Sequence, residues 1–315
     1  MRVPFDRLLT TALATLTVAA LGSIPGVRAE SPRHLPAPPE RCIEGGYSVF
    51  AGTMADMKWP EIEEAAQAGA VVLIPVGVIE EHGPHIACGA DIYQACVYCQ
   101  LAAQGLRARG LPAVVAPPFY WGVNTSTRRF PGSFDTTPET MKAVLTEILA
   151  NLKSWGFREA YLVNLHGEWG HNEVLIDVAR EGRQSPGMCA RMVMSDRLAR
   201  RHGLNGNEDY VTLVQFEPPP GGPVVSGPEF HAGAEETGDM AAFLPGLVDT
   251  AQARTLSPPH VEEDRYRAWG QDARVVTPLG YAGDPSVHDA EWSRRAVLSF
   301  VEGMAVAITH QSRAR

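Results

Sequence analysis

The chain has 315 residues, of which 45% are hydrophobic and 20% are charged, and its formal net charge is −9. This composition is typical of a folded globular protein, and it excludes a disordered chain and a long coiled coil. The acidic balance argues against a nucleic-acid-binding protein, because binding to the phosphate backbone depends on clustered Lys and Arg.

The first 29 residues have the three-part pattern of a secretory signal peptide. Arg2 and Arg7 precede an apolar run from Leu8 to Leu21, and Val27-Arg28-Ala29 supplies a cleavage site of the small-x-small type. The apolar run has about 14 residues, whereas a membrane-spanning helix needs about 20. We therefore expect cleavage after Ala29 and a secreted, periplasmic protein without membrane attachment. An uncleaved membrane anchor is the alternative.

The remaining chain is predicted to hold one domain. Residues 30–46 are rich in proline and predict an extended lead-in, and no repeat or change of composition divides residues 47–315. Five cysteines follow the signal peptide, and an odd number in so long a chain does not suggest a disulfide framework. Cys96 and Cys99 lie in an apolar helical pattern, which favours buried thiols over a metal or redox pair.

Short apolar runs alternate with helical patterns along this domain. Strands are predicted at Val71–Val76, Ala113–Ala116, Ala160–Val163 and Ala190–Met194, and helices at Ile92–Arg109, Thr137–Gly156, Glu173–Ala179 and Asp289–His310. This alternation predicts an α/β fold, with three α-β-α layers and a mostly parallel central sheet. Residues 198–230 break the alternation with a Pro-rich stretch and predict a long loop that shapes a site.

Three clusters of acids and histidines stand out. Glu80-Glu81-His82-Gly83-Pro84-His85 follows the first strand and is itself followed by Asp91, whereas Asn164-Leu165-His166-Gly167-Glu168 follows the third strand. The third cluster comes later in the chain and includes His231 and Glu236. Because sites in parallel sheets form at the carboxyl ends of the strands, we expect one crevice to collect these side chains. They are Glu80, His82, Asp91, His166 and Glu236.

Imidazoles and carboxylates together are ligands for Zn²⁺, Mn²⁺ or Fe²⁺. Two histidines and three acids exceed what one catalytic ion takes from a protein, whereas two ions that share a carboxylate would use them all. Two ions about 3.5–4 Å apart can hold a hydroxide between them and polarise a substrate carbonyl. For a single Glu-x-His motif the alternative is a solvated loop.

The order of these motifs resembles the creatininase family of metal-dependent amidohydrolases. The stretch from Leu73 to His85, with Asp91, resembles the family hallmark of a strand ending in Leu-Pro-x-Gly, then Glu-x-His-Gly-x-His and an Asp. The resemblance runs from about Tyr47 to Ile308 and implies the three-layer creatininase fold. Later landmarks appear in the same order: Phe130-Pro131-Gly132, Gly156-Phe157-Arg158, Asn164-Leu165-His166-Gly167, His231-Ala232-Gly233, Glu236-Thr237 and Gly283-Asp284-Pro285.

The resemblance also implies a ligand set. Glu80 and His166 would hold one divalent ion and His82 a second, with Asp91 as the bridge between them and Glu236 as the remaining carboxylate.

Further roles follow from the same resemblance. Glu168 would be a metal ligand or would handle the proton of the attacking water. His231 would carry a proton to the leaving nitrogen, and a purely structural place at a helix start is the alternative. His85 is expected to make a supporting hydrogen bond, and Glu81 to be solvated or paired.

Several positions depart from the family pattern. Creatininase stacks the flat ring of its substrate on two tryptophans. Here one matching place holds non-aromatic residues near Asp196 and Arg197, and the other holds Gly227, so creatinine itself is not favoured as a substrate. Ser126-Thr127-Arg128-Arg129 stands where many relatives carry a His. Arg128 and Arg129 could hold a substrate carboxylate or phosphate, or could be ordinary surface residues.

One short segment is longer than the family pattern. Trp169-Gly170-His171 has the character of an insertion at the rim of the site. Trp169 and His171 could contact substrate there, or the segment could be a longer surface turn.

The sequence therefore predicts a secreted enzyme that hydrolyses a cyclic or linear amide C–N bond with two divalent ions and a hydroxide that bridges them. The substrate would be a small-molecule amide. Two alternatives remain, a metal-dependent small-peptide hydrolase of the same fold and a periplasmic metal- or solute-binding protein without turnover. The family resemblance further implies a homo-oligomer, such as a hexamer.

Overall fold

The computed structural model describes residues 47–184, 188–227, 229–261 and 269–314. The predicted signal peptide (residues 1–29) and Pro-rich lead-in (residues 30–46) lie outside these ranges, as does Cys42. Within the described ranges, no helix combines the length and the apolar character that a membrane crossing requires.

A five-stranded sheet forms the centre of the domain, and every pairing among its strands is parallel. The strand order is β2-β1-β3-β4-β5, so the chain leaves β1 towards one side and returns to pair with β1 on the other. The point between β1 and β3 is therefore the place where a crevice opens at the carboxyl ends of the strands. The strands are β1 (Val71–Val76), β2 (Ala113–Val115), β3 (Glu159–Asn164), β4 (Cys189–Ser195) and β5 (Val211–Val214).

Helices cover both faces of this sheet. Side chains of β1 alternate between the faces, with Ile74 packed in the cluster that holds Leu145 and Leu175, and Leu73 in the cluster that holds Leu106 and Met304. The first cluster lies under α3 and α4, and the second under α2 and α9. The helices are α1 (Trp59–Gln67), α2 (Ala90–Ala108), α3 (Pro138–Ser154), α4 (Trp169–Gln184), α5 (Asp196–Arg201), α6 (Ala234–Phe243), α7 (Thr250–Ala253), α8 (Ala273–Val276) and α9 (Ala290–Arg313).

This architecture confirms the predicted three-layer α/β fold with a parallel sheet. Two of the predicted helix starts are also confirmed by their caps. The Thr137 hydroxyl accepts the backbone N–H of Thr140 at 3.2 Å, and the Asp289 carboxylate accepts the backbone N–H groups of Glu291 and Trp292 at 3.0 Å each.

The prediction of one long loop over residues 198–230 was wrong in part. Most of the six-residue helix α5 and the edge strand β5 fall inside this segment, and Val211 of β5 pairs with Met192 of β4. A four-residue strand at the edge of a sheet has too short an apolar run to be recognised beside Gly- and Pro-rich neighbours. Such a strand is identified by its pairing with β4, which is a tertiary contact.

The helix after β3 is also longer than predicted, since α4 begins at Trp169 and ends at Gln184. Trp169-Gly170-His171 is therefore its first turn, and the interpretation as a longer surface turn was wrong. On α2, Cys96 and Cys99 are 4% and 0% exposed, which confirms buried thiols. Burial raises the pKa of the Cys96 thiol to about 12.

Candidate functional site

Three candidate ligands meet at the point between β1 and β3. Glu80 follows β1, His166 follows β3, and Asp91 lies in the first turn of α2. Their side chains are buried, with exposed fractions of 2%, 6% and 2%. Gly77 makes this close approach possible, because a Cβ at Gly77 would lie only 2.8 Å from the Asp91 Cβ. The close approach of the end of β1 to the start of α2 therefore places the two acids and the imidazole next to one another.

Asp91 stands between two groups of side chains. Its Oδ2 lies 3.0 Å from His166 Nδ1, which in turn lies 2.9 Å from Glu80 Oε1. Its Oδ1 lies 3.0 Å from His82 Nε2, and this nitrogen lies 3.9 Å from Glu236 Oε2. The two oxygens of one carboxylate thus face two separate histidines, each with a further acid behind it.

The carboxylates and imidazoles of this site shift each other's pKa values in favour of their charged forms. Burial by itself lowers the pKa of His82 and of His166, but the neighbouring carboxylates outweigh burial and raise both pKa values well above 6.5. Burial by itself raises the pKa of Glu80 and of Asp91, but the imidazoles outweigh it and lower both carboxyl pKa values. Glu80 and Asp91 are therefore held ionised in the protein interior.

The donor set fits a divalent metal. Glu80, Asp91 and His166 form one group whose ligand atoms lie within 4.8 Å of one another, and His82, Asp91 and Glu236 form another. A third group consists of Glu80, His82 and His231. Two carboxylate oxygens converge on the single His166 Nδ1, although that nitrogen can carry only one hydrogen. Convergence of this kind leaves surplus lone pairs in a buried space, which is the arrangement that a cation satisfies.

Glu236 reaches this site from the first turn of α6. The backbone N–H of Ala232 donates to Glu236 Oε2 at 2.5 Å. Ala232 has a φ of +50°, the left-handed conformation that non-glycine residues seldom adopt. The preceding residue, His231, is held by backbone hydrogen bonds with Ala282 in both directions. The turn before α6 thus fixes both Glu236 and His231.

His231 presents one ring nitrogen to the candidate ligands. Its Nε2 lies 2.7 Å from the Glu81 carbonyl oxygen, whereas its Nδ1 lies 3.9 Å from Glu80 Oε1. Burial lowers the pKa of His231, but Glu80 and the other acids outweigh it and raise the pKa to about 9. Of the two roles considered for Glu81, the structure selects pairing, because its side chain is 7% exposed and accepts the Gly83 N–H at 2.9 Å.

The structure does not place Glu168 among the candidate ligands. Its carboxylate accepts hydrogen bonds from the backbone N–H and hydroxyl of Thr125 and from those of Ser126, over 2.6 to 3.1 Å. These four donors turn the carboxylate towards the Thr125-Ser126 turn. The geometry therefore does not support Glu168 as a metal ligand, and its proton-handling role stays a prediction.

The residues predicted to contact substrate are divided by the structure. Trp169 is 47% exposed and lines the main cavity, as expected for a rim residue. His171 is fully buried, packs edge-on against the His166 ring at 4.9 Å, and does not line that cavity. A Cβ at Gly122 would lie 2.3 Å from the His171 ring, so glycine there makes room for it. The His171 ring therefore packs against the His166 ring and helps to hold it in place. Contact between His171 and a substrate in the cavity is not supported.

Arg128 and Arg129 also lie away from the cavity lining. Arg128 is 3.6 Å from Asp135, and Arg129 forms an ion pair with Asp272. The arginines that do line the cavity are Arg197 and Arg201 on α5, and sequence reasoning missed both as binding residues. In the sequence, Arg197 stands out only as a departure from the family pattern. That departure was the one feature that could have indicated a binding residue.

Two further residues at the site escaped the sequence analysis. Thr127 donates its hydroxyl to Glu80 Oε2 at 2.5 Å, and its place in the Ser-Thr-Arg-Arg departure was the only hint. Glu229 accepts the backbone N–H groups of Ala234 and Asp284, which ties the start of α6 to a second loop. Nothing in the sequence pattern distinguishes Glu229 from a solvated acid. His85 Nε2 lies 2.9 Å from the hydroxyl of Thr237, which neighbours Glu236 and is not itself a candidate ligand, so a supporting role for His85 stays a prediction.

Four of the five candidate ligands, Glu80, Asp91, His166 and Glu236, form the floor of a cavity of about 770 Å³, whereas His82 lies buried behind them. This volume lies in the upper part of the range of small-molecule sites. Aromatic side chains line other parts of the cavity, although sequence reasoning found none at the tryptophan places of creatininase: they are Trp169, Phe230 and Trp269. The Trp269 ring lies 5.4 Å from that of His231. The site therefore has both a polar, buried floor and apolar walls.

Comparison with known proteins decides the family. The sequence matches the family described as "Creatininase: Creatinine amidohydrolase" over residues 55–308. The chain belongs to the creatininase family. This confirms the resemblance, and it makes the chain an amidohydrolase, a hydrolase of C–N bonds, in a family that depends on metal.

Individual relatives in the creatininase family are distant. The creatinine amidohydrolase of Pseudomonas putida is 28% identical over 127 residues, which cover 38% of this chain and 46% of that protein. The mycofactocin precursor peptide peptidase of Mycolicibacterium smegmatis is 27% identical over 244 residues, which cover 75% of this chain and 83% of that protein. A crystal structure of a creatinine amidohydrolase (creatininase) superposes with a TM-score of 0.57 at 22% identity, over 82% of this chain and 97% of the other, which shows a common fold.

Proposed function

We propose that this creatininase-family enzyme holds two divalent ions and hydrolyses the C–N bond of an amide. The observation that carries the proposal is the position of Asp91, whose two oxygens face different histidines at 3.0 Å each. A carboxylate placed in this way could bridge two ions, because each of its oxygens would contribute to a separate ligand group.

In this proposal Glu80, Asp91 and His166 would hold one ion, and His82, Asp91 and Glu236 would hold the other. When bound, such a pair lowers the pKa of water and polarises a carbonyl, which are the two requirements of amide hydrolysis. Zn²⁺, Mn²⁺ and Fe²⁺ all suit imidazole and carboxylate ligands, and availability selects among them.

The chain's own residues supply proton transfer. His231 Nδ1 is the ring nitrogen on the side of Glu80, while Nε2 is engaged with the Glu81 carbonyl. His231 can therefore carry a proton at Nδ1 to the leaving nitrogen without giving up the bond that orients the ring. Glu168 lines the same cavity, and a role in handling the proton of the attacking water is part of this proposal.

A small peptide is a second candidate substrate. A relative that spans three quarters of this chain is named as a precursor peptide peptidase, and the cavity of about 770 Å³ exceeds what a single small ring needs. The proposal also includes export to the periplasm, which rests on the sequence of residues 1–29, and a homo-oligomer, which rests on family membership.

The experiment is a panel of amides, formylated amines, cyclic amides and short peptides, screened on the mature protein after metal removal and reconstitution with Mn²⁺ or Zn²⁺. We expect Glu80→Gln to lower kcat/KM on every hit by about a hundredfold or more, because even partners behind a ligand cost 10–100-fold. Glu147→Gln, the same change at an exposed position of α3, should leave kcat/KM unchanged. Equal rates for wild type and Glu80→Gln would contradict the site, and metal-dependent affinity without turnover would favour a binding protein.

A further inference from the structure

Helix α5 forms one wall of the cavity. This wall carries basic side chains, whereas the candidate ligands are mostly acidic. Arg197 and Arg201 both line this cavity, together with Glu80, Asp91 and His166. They are four residues apart on one helix, so they project from the same side of α5. The helix starts directly after β4, where the Ser195 side chain accepts the backbone N–H of Leu198. The chain thus brings two guanidinium groups to the same edge of the sheet as the candidate ligands.

These two arginines differ from the other arginines near the site in their partners. Arg200, between them, forms an ion pair with Asp196, and Arg128 and Arg129 have Asp135 and Asp272. Among the described residues, no carboxylate lies within 4.0 Å of Arg197 or Arg201; Arg197 interacts over a longer distance with Glu235. The donors of Arg197 and Arg201 are therefore available to a molecule in the cavity.

Trp169 completes this wall. The Arg201 guanidinium lies 5.8 Å from the centre of the Trp169 ring, and the same ring stacks on His202 at 4.1 Å. A stacked guanidinium keeps its outward donors free for a bidentate contact with an anion.

We propose that Arg197 and Arg201 bind a carboxylate of the substrate, so that the preferred substrate is an amide that carries a free carboxylate, such as an N-acyl amino acid or a peptide. This inference rests on the proposed function and specifies its substrate class. The guanidinium groups of the α5 wall attract an anion. A carboxylate held on α5 would leave the neutral amide bond of the substrate towards Glu80 and Asp91.

The test compares two amides that differ in the anionic group alone. Affinity for N-benzoylglycine and for N-ethylbenzamide is measured by equilibrium dialysis on the metal-loaded protein, for wild type, Arg197→Ala, the Arg197→Ala/Arg201→Ala double variant and Arg200→Ala. We expect wild type to bind N-benzoylglycine at least about tenfold more tightly, since charged hydrogen bonds each contribute at this level. The double variant should lose this preference, and Arg200→Ala, on the same exposed helix, should keep it.

Each result decides between the inference and its alternatives. Equal affinity of wild type for both amides, or an unchanged preference in the double variant, overturns the inference; the second result would arise if the carboxylate bound the metal ions instead. Tighter binding of N-benzoylaminomethylphosphonate by more than tenfold would also overturn it in favour of a phosphoryl group. Hydrolysis is scored separately: a carboxylate preference without turnover supports this inference and contradicts the proposed function, and turnover without the preference does the reverse.

Discussion

Asp91→Asn is expected to lower kcat/KM by about a thousandfold or more on any amide that the wild type hydrolyses. An asparagine keeps one oxygen but turns an NH₂ group towards either His82 or His166, both of which lie 3.0 Å from the Asp91 carboxylate. It also removes the negative charge shared by the two ligand groups. A bridging role predicts loss of both ions, and with them the polarisation of carbonyl and water on which the reaction depends.

The control for this variant is Asp209→Asn, the same chemical change on a side chain that is 64% exposed and pairs with Arg183 at the surface. Steady-state kinetics across a titration of Mn²⁺ and of Zn²⁺ would measure both variants. Asp209→Asn should follow the wild type at every metal concentration. If Asp91→Asn regained activity within tenfold of the wild type at high metal, Asp91 would not be the bridge.

Removal of metal is expected to lower the melting temperature by about 10 °C for each ion lost. An ion that binds only the folded chain stabilises it by about 4 kcal/mol when present at a thousand times its Kd. For a domain of this size each kcal/mol corresponds to about 2–3 °C. The loss has a structural reason, because Glu80 and Asp91 are ionised carboxylates at 2% exposure. Thermal unfolding of loaded, chelated and reloaded protein measures the effect.

The same melts should depend on pH in a defined direction. The carboxylates raise the pKa of His82 and of His166 above 6.5, so these rings hold protons that an ion must displace. The stabilisation by metal should therefore shrink as pH falls and grow as pH rises towards those raised pKa values. Asp91→Asn serves as the control, because its melting temperature should not respond to chelator. An identical melting temperature for loaded and chelated wild type would contradict a buried metal site.

The parts of the fold that could be predicted from sequence are those with strong local signals. Val71–Val76 is apolar throughout because both faces of β1 are buried, and that continuous run predicts the strand directly. The starts of α3 and α9 were predictable because Thr137 and Asp289 cap them through their own side chains. The edge strand Val211–Val214 was not, because its identity as a strand depends on its pairing with β4.

The candidate ligands were predictable for a similar reason, since Glu80 and His166 each follow a buried strand and the resemblance supplied their order. The direction in which a side chain turns was not predictable. Glu168 follows His166 by two residues, yet Thr125 and Ser126 from a distant turn decide where its carboxylate points. Arg197 lines the cavity only because α5 packs beside it, and no local pattern in the sequence records that packing.

The central claim, that Asp91 joins two separate metal sites, is tested most directly by the metal content of purified protein, measured by inductively coupled plasma mass spectrometry. Glu80 forms a group with Asp91 and His166 and a second one with His82 and His231, whereas Glu236 belongs only to the group with His82 and Asp91 among the described residues. The account predicts two ions per chain in the wild type and one in either Glu80→Gln or Glu236→Gln. A wild-type content of one ion, or a content that neither variant changes, would contradict it.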